Sequence, residues 1–250
     1  MSFFVKKDKA IKRIINLNKI IMKPIFNLLL LVVTLIMLSC SEDDIFTRAT
    51  TIKVVNLING ADNVIVKIEN NLINYATTKA KVSFDDYRNF SFEASINRQL
   101  EIVKQSDTLN PIYSESLHLK GIHSLYLYGA LENEEWLLIE DKPKQITDSL
   151  VGIRFINLSK TSGLVNINIT GETATVVSGL NQEVETDYIE FPAKEVDGSY
   201  IFEFKDGSGN MLNSITVDPL QKFNVSSKKN LTLVMYDFGT SQKVARVNSY

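Results

Sequence analysis

An all-β protein, built as two tandem β-sandwiches from position 51 to the C-terminus, is predicted by three observations. From Thr51 onward apolar and polar residues alternate in short runs rich in Val, Ile, Thr, Tyr and Phe, the period of a half-buried strand. Turn residues punctuate these runs every eight to twelve positions. One stretch also recurs: Ile52-Lys53-Val54-Val55-Asn56-Leu57 returns as Ile153-Arg154-Phe155-Ile156-Asn157-Leu158, a shift of 101 residues. Two copies of about 100 residues match the size of an immunoglobulin-like sandwich.

In the first copy the alternation predicts strands at 52–57, 64–68, 90–94, 100–104, 117–119 and 125–128. In the second it predicts 153–158, 165–169, 200–205, 211–217 and 231–235. Asn59-Gly60, Asp197-Gly198 and Asp206-Gly207 fall between runs, where residues that tolerate positive φ make tight turns. The shift of 101 carries Val64, Val66 and Ile68 onto Val165, Ile167 and Ile169. Farther along, 87–93 resembles 200–204, and 124–128 resembles 230–234. Asn56 and Asn157, at equivalent strand ends, are expected to close the following turn by bonding to backbone groups. The charged, proline-containing stretch 140–145 reads as a linker, which places the domains at 51–145 and 149–250.

The apolar-basic-apolar-apolar-Asn-Leu opening of each copy, followed by a turn and a second alternating strand, is similar to the start of the domain-of-unknown-function family 4397. Asp197-Gly198-Ser199-Tyr200 ahead of Ile201-Phe202-Glu203-Phe204 resembles that family's Gly-x-Tyr hairpin, whereas the first copy carries Asp85-Asp86-Tyr87. The resemblance implies two immunoglobulin-like sandwiches in a cell-surface protein, with no catalytic residues to carry over.

Residues 25–38 form an almost wholly apolar run of fourteen, preceded by Lys23-Pro24 and followed by Ser39-Cys40. A bilayer span needs about 20 residues, so the run suits the apolar region of a signal peptide. Met22-Lys23 would itself make an ordinary basic start, which leaves Met1 and Met22 open as the translation start. Cys40 is the only cysteine of the chain. Met37-Leu38-Ser39-Cys40 resembles the cleavage site of a bacterial lipoprotein precursor, with Met where Leu is usual and Leu where a small residue is usual. The resemblance implies removal of 1–39 and a diacylglycerol on the Cys40 sulfur, each buried CH₂ contributing about 0.8 kcal/mol to membrane binding. The alternative is an uncleaved anchor followed by an incidental cysteine. Ser41, Glu42, Asp43 and Asp44 resemble the acidic signal that sends Bacteroidota lipoproteins to the exterior face of the outer membrane; otherwise 40–50 is a solvated acidic tether.

The formal charge of −2 conceals an asymmetry. Residues 1–39 hold seven basic residues and one acidic, leaving 20 basic against 28 acidic and a net charge of −8 for the rest. An acidic body argues against a nucleic-acid groove or an anionic-membrane groove, which need a basic stripe.

Chemistry-bearing patterns are few, and no catalytic set, metal or cofactor is expected. His118 and His123 are five apart across Gly121, a spacing that alternation sends to opposite faces and that suits a shared metal poorly. Asp206 to Asn210 has alternating oxygens like the front of a calcium loop, but Met211 and Val217 stand where its Gly and bidentate Glu belong, so a hairpin turn is expected. Glu132, Glu134, Glu135, Glu140 and Asp141 gather around Trp136, as in a glycoside hydrolase or on a solvated surface. Tyr113, Tyr126, Tyr128 and Trp136 are the candidates for a ligand face, since flat rings stack on sugars or on a partner's side chains; the alternative is that Leu125 and Leu127 line the core while the tyrosines partly cover the other face or pack against the neighbouring domain. The expectation is therefore a non-enzymatic, lipid-anchored surface module for a glycan or protein. Its alternatives are a fimbrial or adhesin-type subunit, in which a cut after Arg48 would remove a tether and no strand, and a surface glycoside hydrolase.

Overall fold

The computed structural model describes residues 49–61, 63–69, 80–94, 96–146, 150–192, 199–218 and 230–248, all within the unit Thr47–Tyr250. The first copy forms β1 (Ala49–Asn59), β2 (Asn63–Ile68), β3 (Lys81–Ser83), β4 (Asp86–Glu93), β5 (Arg98–Lys104), β6 (Asp107–Leu117), β7 (Gly121–Ala130) and β8 (Asn133–Asp141). The second forms β9 (Leu150–Asn157), β10 (Val165–Ile169), β11 (Thr175–Leu180), β12 (Val184–Glu185), β13 (Ile189–Pro192), β14 (Tyr200–Lys205), β15 (Met211–Val217), β16 (Asn230–Phe238) and β17 (Ser241–Asn248). In each copy an inner sheet packs on an outer one. The inner orders are β4-β1-β7-β8 and β12-β9-β16-β17, with β13 also on β9; the outer orders are β3-β2-β5-β6 and β11-β10-β14-β15. The all-β sandwich expected from the alternation is what forms.

The centre of each inner sheet is a parallel pair, β1 with β7 and β9 with β16. Val54 lies opposite Leu125 and Phe155 opposite Leu233, so the equivalent of Leu125 is Leu233. The expected match of 124–128 to 230–234 is therefore two residues out of register, an error alternation cannot detect because a shift of two keeps the same face. The match of 87–93 to 200–204 is also corrected. β4 lies beside β1 in an inner sheet, whereas β14 lies in an outer one, where its counterpart is β5. The strand expected at 117–119 is absent: β6 ends at Leu117 and 118–120 is loop.

Alternation decides which residues enter which layer. Ile52, Val54 and Ile58 point into the first sandwich with Leu125 and Leu127, while Phe155, Val165, Phe202 and Leu233 fill the second. The opposite faces of the two inner sheets are apolar as well. Val55, Leu57, Tyr126 and Tyr128 meet Ile156, Leu158, Val234 and Tyr236 in a third buried layer, so the two copies stack as four sheets.

Within that layer the basic positions of the repeat, Lys53 and Arg154, are 1% and 3% exposed. Arg154 Nη2 donates to Asp141 Oδ1 at 2.6 Å, and Ser124 Oγ donates to the other carboxylate oxygen at 2.5 Å. Lys53 Nζ donates to the Asn248 carbonyl at 2.6 Å. Each cation thus reaches the last strand of the other copy. Tyr128 OH donates to Glu183 Oε1 at 2.6 Å and Tyr236 OH to Asp85 Oδ1 at 3.3 Å, again one from each copy to the other. Asp85 and Glu183 occupy matching places, with φ of 58° and 59° and backbone N–H groups bonded to the carbonyls of Asn56 and Asn157 at 2.8 and 2.7 Å. Reciprocal contacts of this kind are those of a two-fold interface.

The two asparagines are wholly buried and play one local role. Asn56 Nδ2 donates to the Val82 carbonyl at 3.2 Å while its Oδ1 accepts from Ile58 N–H at 3.2 Å. Asn157 Nδ2 donates to Leu180 O at 3.2 Å and its Oδ1 accepts from Ser159 N–H at 3.0 Å. Each amide ties an inner sheet to its outer one and closes the turn that follows.

Two outcomes are expected. Asn157→Ala strands a buried carbonyl and a buried N–H, and should lower unfolding free energy by about 2 kcal/mol in urea titrations. Lys53 provides the second. Burial lowers its pKa from 10.5 to about 8, opposed by Asp141. Between those values the unfolded chain holds the extra proton, so stability from this group rises with pH across the window and the burial penalty is carried in full below it. Against a Lys53→Met variant, the wild type should therefore gain about 2–3 kcal/mol in urea unfolding between pH 7 and pH 10.5.

Candidate functional site

The four aromatic candidates do not form one ligand face; Tyr126 and Tyr128 follow the alternative and pack against the neighbouring domain. Tyr126 and Tyr128 are 0% and 1% exposed in the layer between the copies, where the second sandwich covers the face that alternation alone would leave to solvent. Burial pushes the Tyr126 phenol up to about 12, against the pull of Arg154. Tyr128 is also raised, by burial and then by its bond to Glu183. Tyr113 is buried in the first sandwich, and burial, with Glu115 nearby, raises it to about 12. Trp136 alone is open, with 46% of its surface exposed.

Edge strands explain its position. β6 and β8 are the outermost strands of the two sheets of the first sandwich, and Trp136 and Tyr113 meet at their seam with ring centroids 5.2 Å apart and planes at 84°. The edge-to-face contact fixes the indole while close to half of the side chain stays open to solvent. Two residues earlier on the same side of β8, Glu134 Oε1 accepts from Lys104 Nζ of β5 at 2.8 Å. The bond to Lys104 lowers the Glu134 pKa although burial, the largest influence, opposes it.

Lys104 leads into a cleft of about 550 Å³ at the end of the sandwich, lined also by Gly60, Asn63, Gln105, Ser106 and Leu131. Three turns build it, and backbone bonds hold them: Leu131 N–H to Asn59 O at 3.3 Å and Gln105 N–H to Asn63 O at 3.1 Å. Gly60 has φ of +93°, a left-handed backbone that calls for glycine, while a Cβ there would meet only the end of the Leu131 side chain at 3.0 Å. Nothing in the local sequence announces this cleft except the Asn59-Gly60 turn, because its walls come from the β5–β6 and β7–β8 hairpins and from the β1–β2 connection that crosses between the sheets.

The carboxylates grouped around Trp136 in the sequence are dispersed. Glu134 pairs with Lys104, Glu135 with Lys160 at 2.6 Å, Asp141 with Arg154 and Glu140 with Lys142 at 3.4 Å. No group of three or more metal-ligating side chains occurs among the described residues. His118 is exposed with Nδ1 2.9 Å from Asn97 Oδ1, and His123 is 9% exposed in β7, its pKa lowered by burial. Asp206 makes the expected hairpin turn, its carboxylate accepting from Ser208 N–H, Asn210 N–H and Asn210 Nδ2, each at 2.8 Å. The expected lipidation and export positions, Cys40 to Asp44, lie outside the described residues.

No family model and no curated protein matches the chain. Among solved structures it is similar to the C-terminal domain of AlgF from P. aeruginosa, at 15% identity and a TM-score of 0.26, over 42% of this chain and 100% of that one. It is also similar to a family 26 carbohydrate-binding module of Amy13K from Eubacterium rectale, solved with maltoheptaose, at 12% identity and a TM-score of 0.26, over 81% and 97%. The tip fimbrial protein Mfa3 of Porphyromonas gingivalis matches at 8% identity and a TM-score of 0.24, over 80% and 98%. Likeness at this level carries no functional argument.

The seam geometry has a direct check. Trp136 is the only tryptophan, so acrylamide should quench the fluorescence of the folded protein nearly as well as that of the unfolded chain. Protection of several-fold on folding would contradict an open indole.

Proposed function

We propose that the chain is a lipid-anchored, non-enzymatic surface module of the outer membrane, acylated at Cys40 and displayed outward through Ser41, Glu42, Asp43 and Asp44. One observation carries the reading: the only cysteine of the chain stands one serine beyond a fourteen-residue apolar run and one serine ahead of three acidic residues. Two acyl chains hold a protein on a bilayer far more firmly than one. The resemblance to family 4397, with its tandem sandwiches, supports the same reading.

A binding role suits the body better than hydrolysis. Glycoside hydrolysis needs two carboxyl groups free to face one another across a sugar, one of them protonated. Here Glu134, Glu135 and Asp141 are each held in an ion pair with a different cation, so they do not face one another across a shared space. The rigid four-sheet stack presents its seam and turns as a fixed surface, and the ligand is a glycan or a protein.

Expression of Cys40→Ala beside the wild type tests the anchor. The wild type should enter the detergent phase with the added mass of acyl chains, and the variant should stay aqueous or unprocessed. Alanine at Glu42, Asp43 and Asp44 should leave acylation intact but protect the protein from protease added to whole cells. Equal partition of both proteins, with no added mass, would sink the reading.

A further inference from the structure

We propose that Trp136 and the adjoining cleft bind a neutral oligosaccharide. The inference deepens the surface-module reading, resting on it for where the site faces, and it names the ligand class.

The indole supplies the first element. A ring with 46% of its surface open, held edge-on by Tyr113 at 5.2 Å, is a pre-set apolar plane for the C–H face of a pyranose. Two residues back, about 7 Å along the strand, stands the Glu134–Lys104 pair. A carboxylate and an ammonium fixed on each other offer directional acceptors and donors to sugar hydroxyls. Beyond them the cleft adds Asn63, whose Oδ1 accepts from Ser83 Oγ at 3.0 Å, with Gln105 and Ser106, polar residues without charge, beside the half-exposed Leu131. The sequence of surfaces, apolar plane, fixed ion pair and amide-lined cleft, matches a short chain of sugars.

Charge selects the neutral class. Lys104 is the only basic residue lining the cleft among the described residues, and Glu134, Asp107 and Glu132 surround it closely enough to raise its pKa, the bond to Glu134 first. Uronates and sulfated sugars would enter a field already negative. Backbone bonds between the three turns hold the cleft open before any ligand arrives, which lowers the ordering cost of binding.

The sole tryptophan makes the site its own reporter. The detergent-solubilised full chain is titrated with hexasaccharides of the malto, cello, xylo and manno series, with heparin and hyaluronan oligosaccharides as anionic controls, and each protein is also applied to an array of neutral glycans. At least one neutral glycan should quench or shift the Trp136 emission saturably, and the anionic ones should not. The Asn63→Ala/Gln105→Ala double variant should bind that glycan about tenfold more weakly with an unchanged melting temperature, and Trp136→Ala should lose it on the array. Absence of binding to any neutral glycan, preference for an anionic one, or undiminished binding by the double variant would overturn the proposal. Detergent partition of the same preparation reads the anchor separately, so failure of one reading is distinguishable from failure of the other.

Discussion

The layer between the two inner sheets is the constraint from which the rest of the structure follows. A sheet in a two-layer sandwich needs one apolar face; these two need both, because each is covered by its own outer sheet and by the other copy. Lys53 and Arg154 are then forced into an apolar setting, where an ion is costly unless it is met by a partner. Each finds one on the last strand of the opposite copy. Replacing such a pair by hydrophobic residues often costs little, so its contribution lies in register more than in stability. A slip of one residue would turn both cations into the sandwich cores and the core residues into the interlayer.

The same constraint explains what could be read from the sequence. β1, β2, β4, β5, β7, β9, β10, β14, β15 and β16 all contain predicted runs, because the central or core-facing strands carry dense Val, Ile and Phe. β3, β8, β11, β12, β13 and β17 were not predicted, and of β6 only its last residue, Leu117, fell in a predicted run. These are mostly edges, where half the residues face water and composition reads as loop: β8 is Asn-Glu-Glu-Trp-Leu-Leu-Ile-Glu-Asp and β17 is Ser-Gln-Lys-Val-Ala-Arg-Val-Asn. Packing holds such strands in place more than their own propensity does.

The site was legible only in part, for a related reason. Alternation correctly separates Leu125 and Leu127 from Tyr126 and Tyr128, yet it cannot say that a second sandwich covers the tyrosines. The basic residue in the middle of each repeat strand was the available sign, since a charge amid Val and Ile on a twice-covered strand must have an internal partner. Trp136 was visible by type. Asn63, Lys104 and Gln105 were not, because the β1–β2 connection and the β5–β6 hairpin, far apart in the chain, share no local pattern.

The position of β1 has a mechanical consequence. β1 is the first described strand, and it is bonded along its length to β4 on one side and to β7 on the other, from Thr50 to Asn59 on the β7 side. A pull on the chain ahead of Ala49 therefore acts along a central strand, and its backbone bonds are loaded together in shear. An edge strand peeled from its end would release them one at a time. Resistance to such a load is a matter of unfolding rate rather than equilibrium stability, and a barrier built from two full ladders makes that rate slow. A body attached through its first strand is in this way strongest against the direction in which it would be tugged.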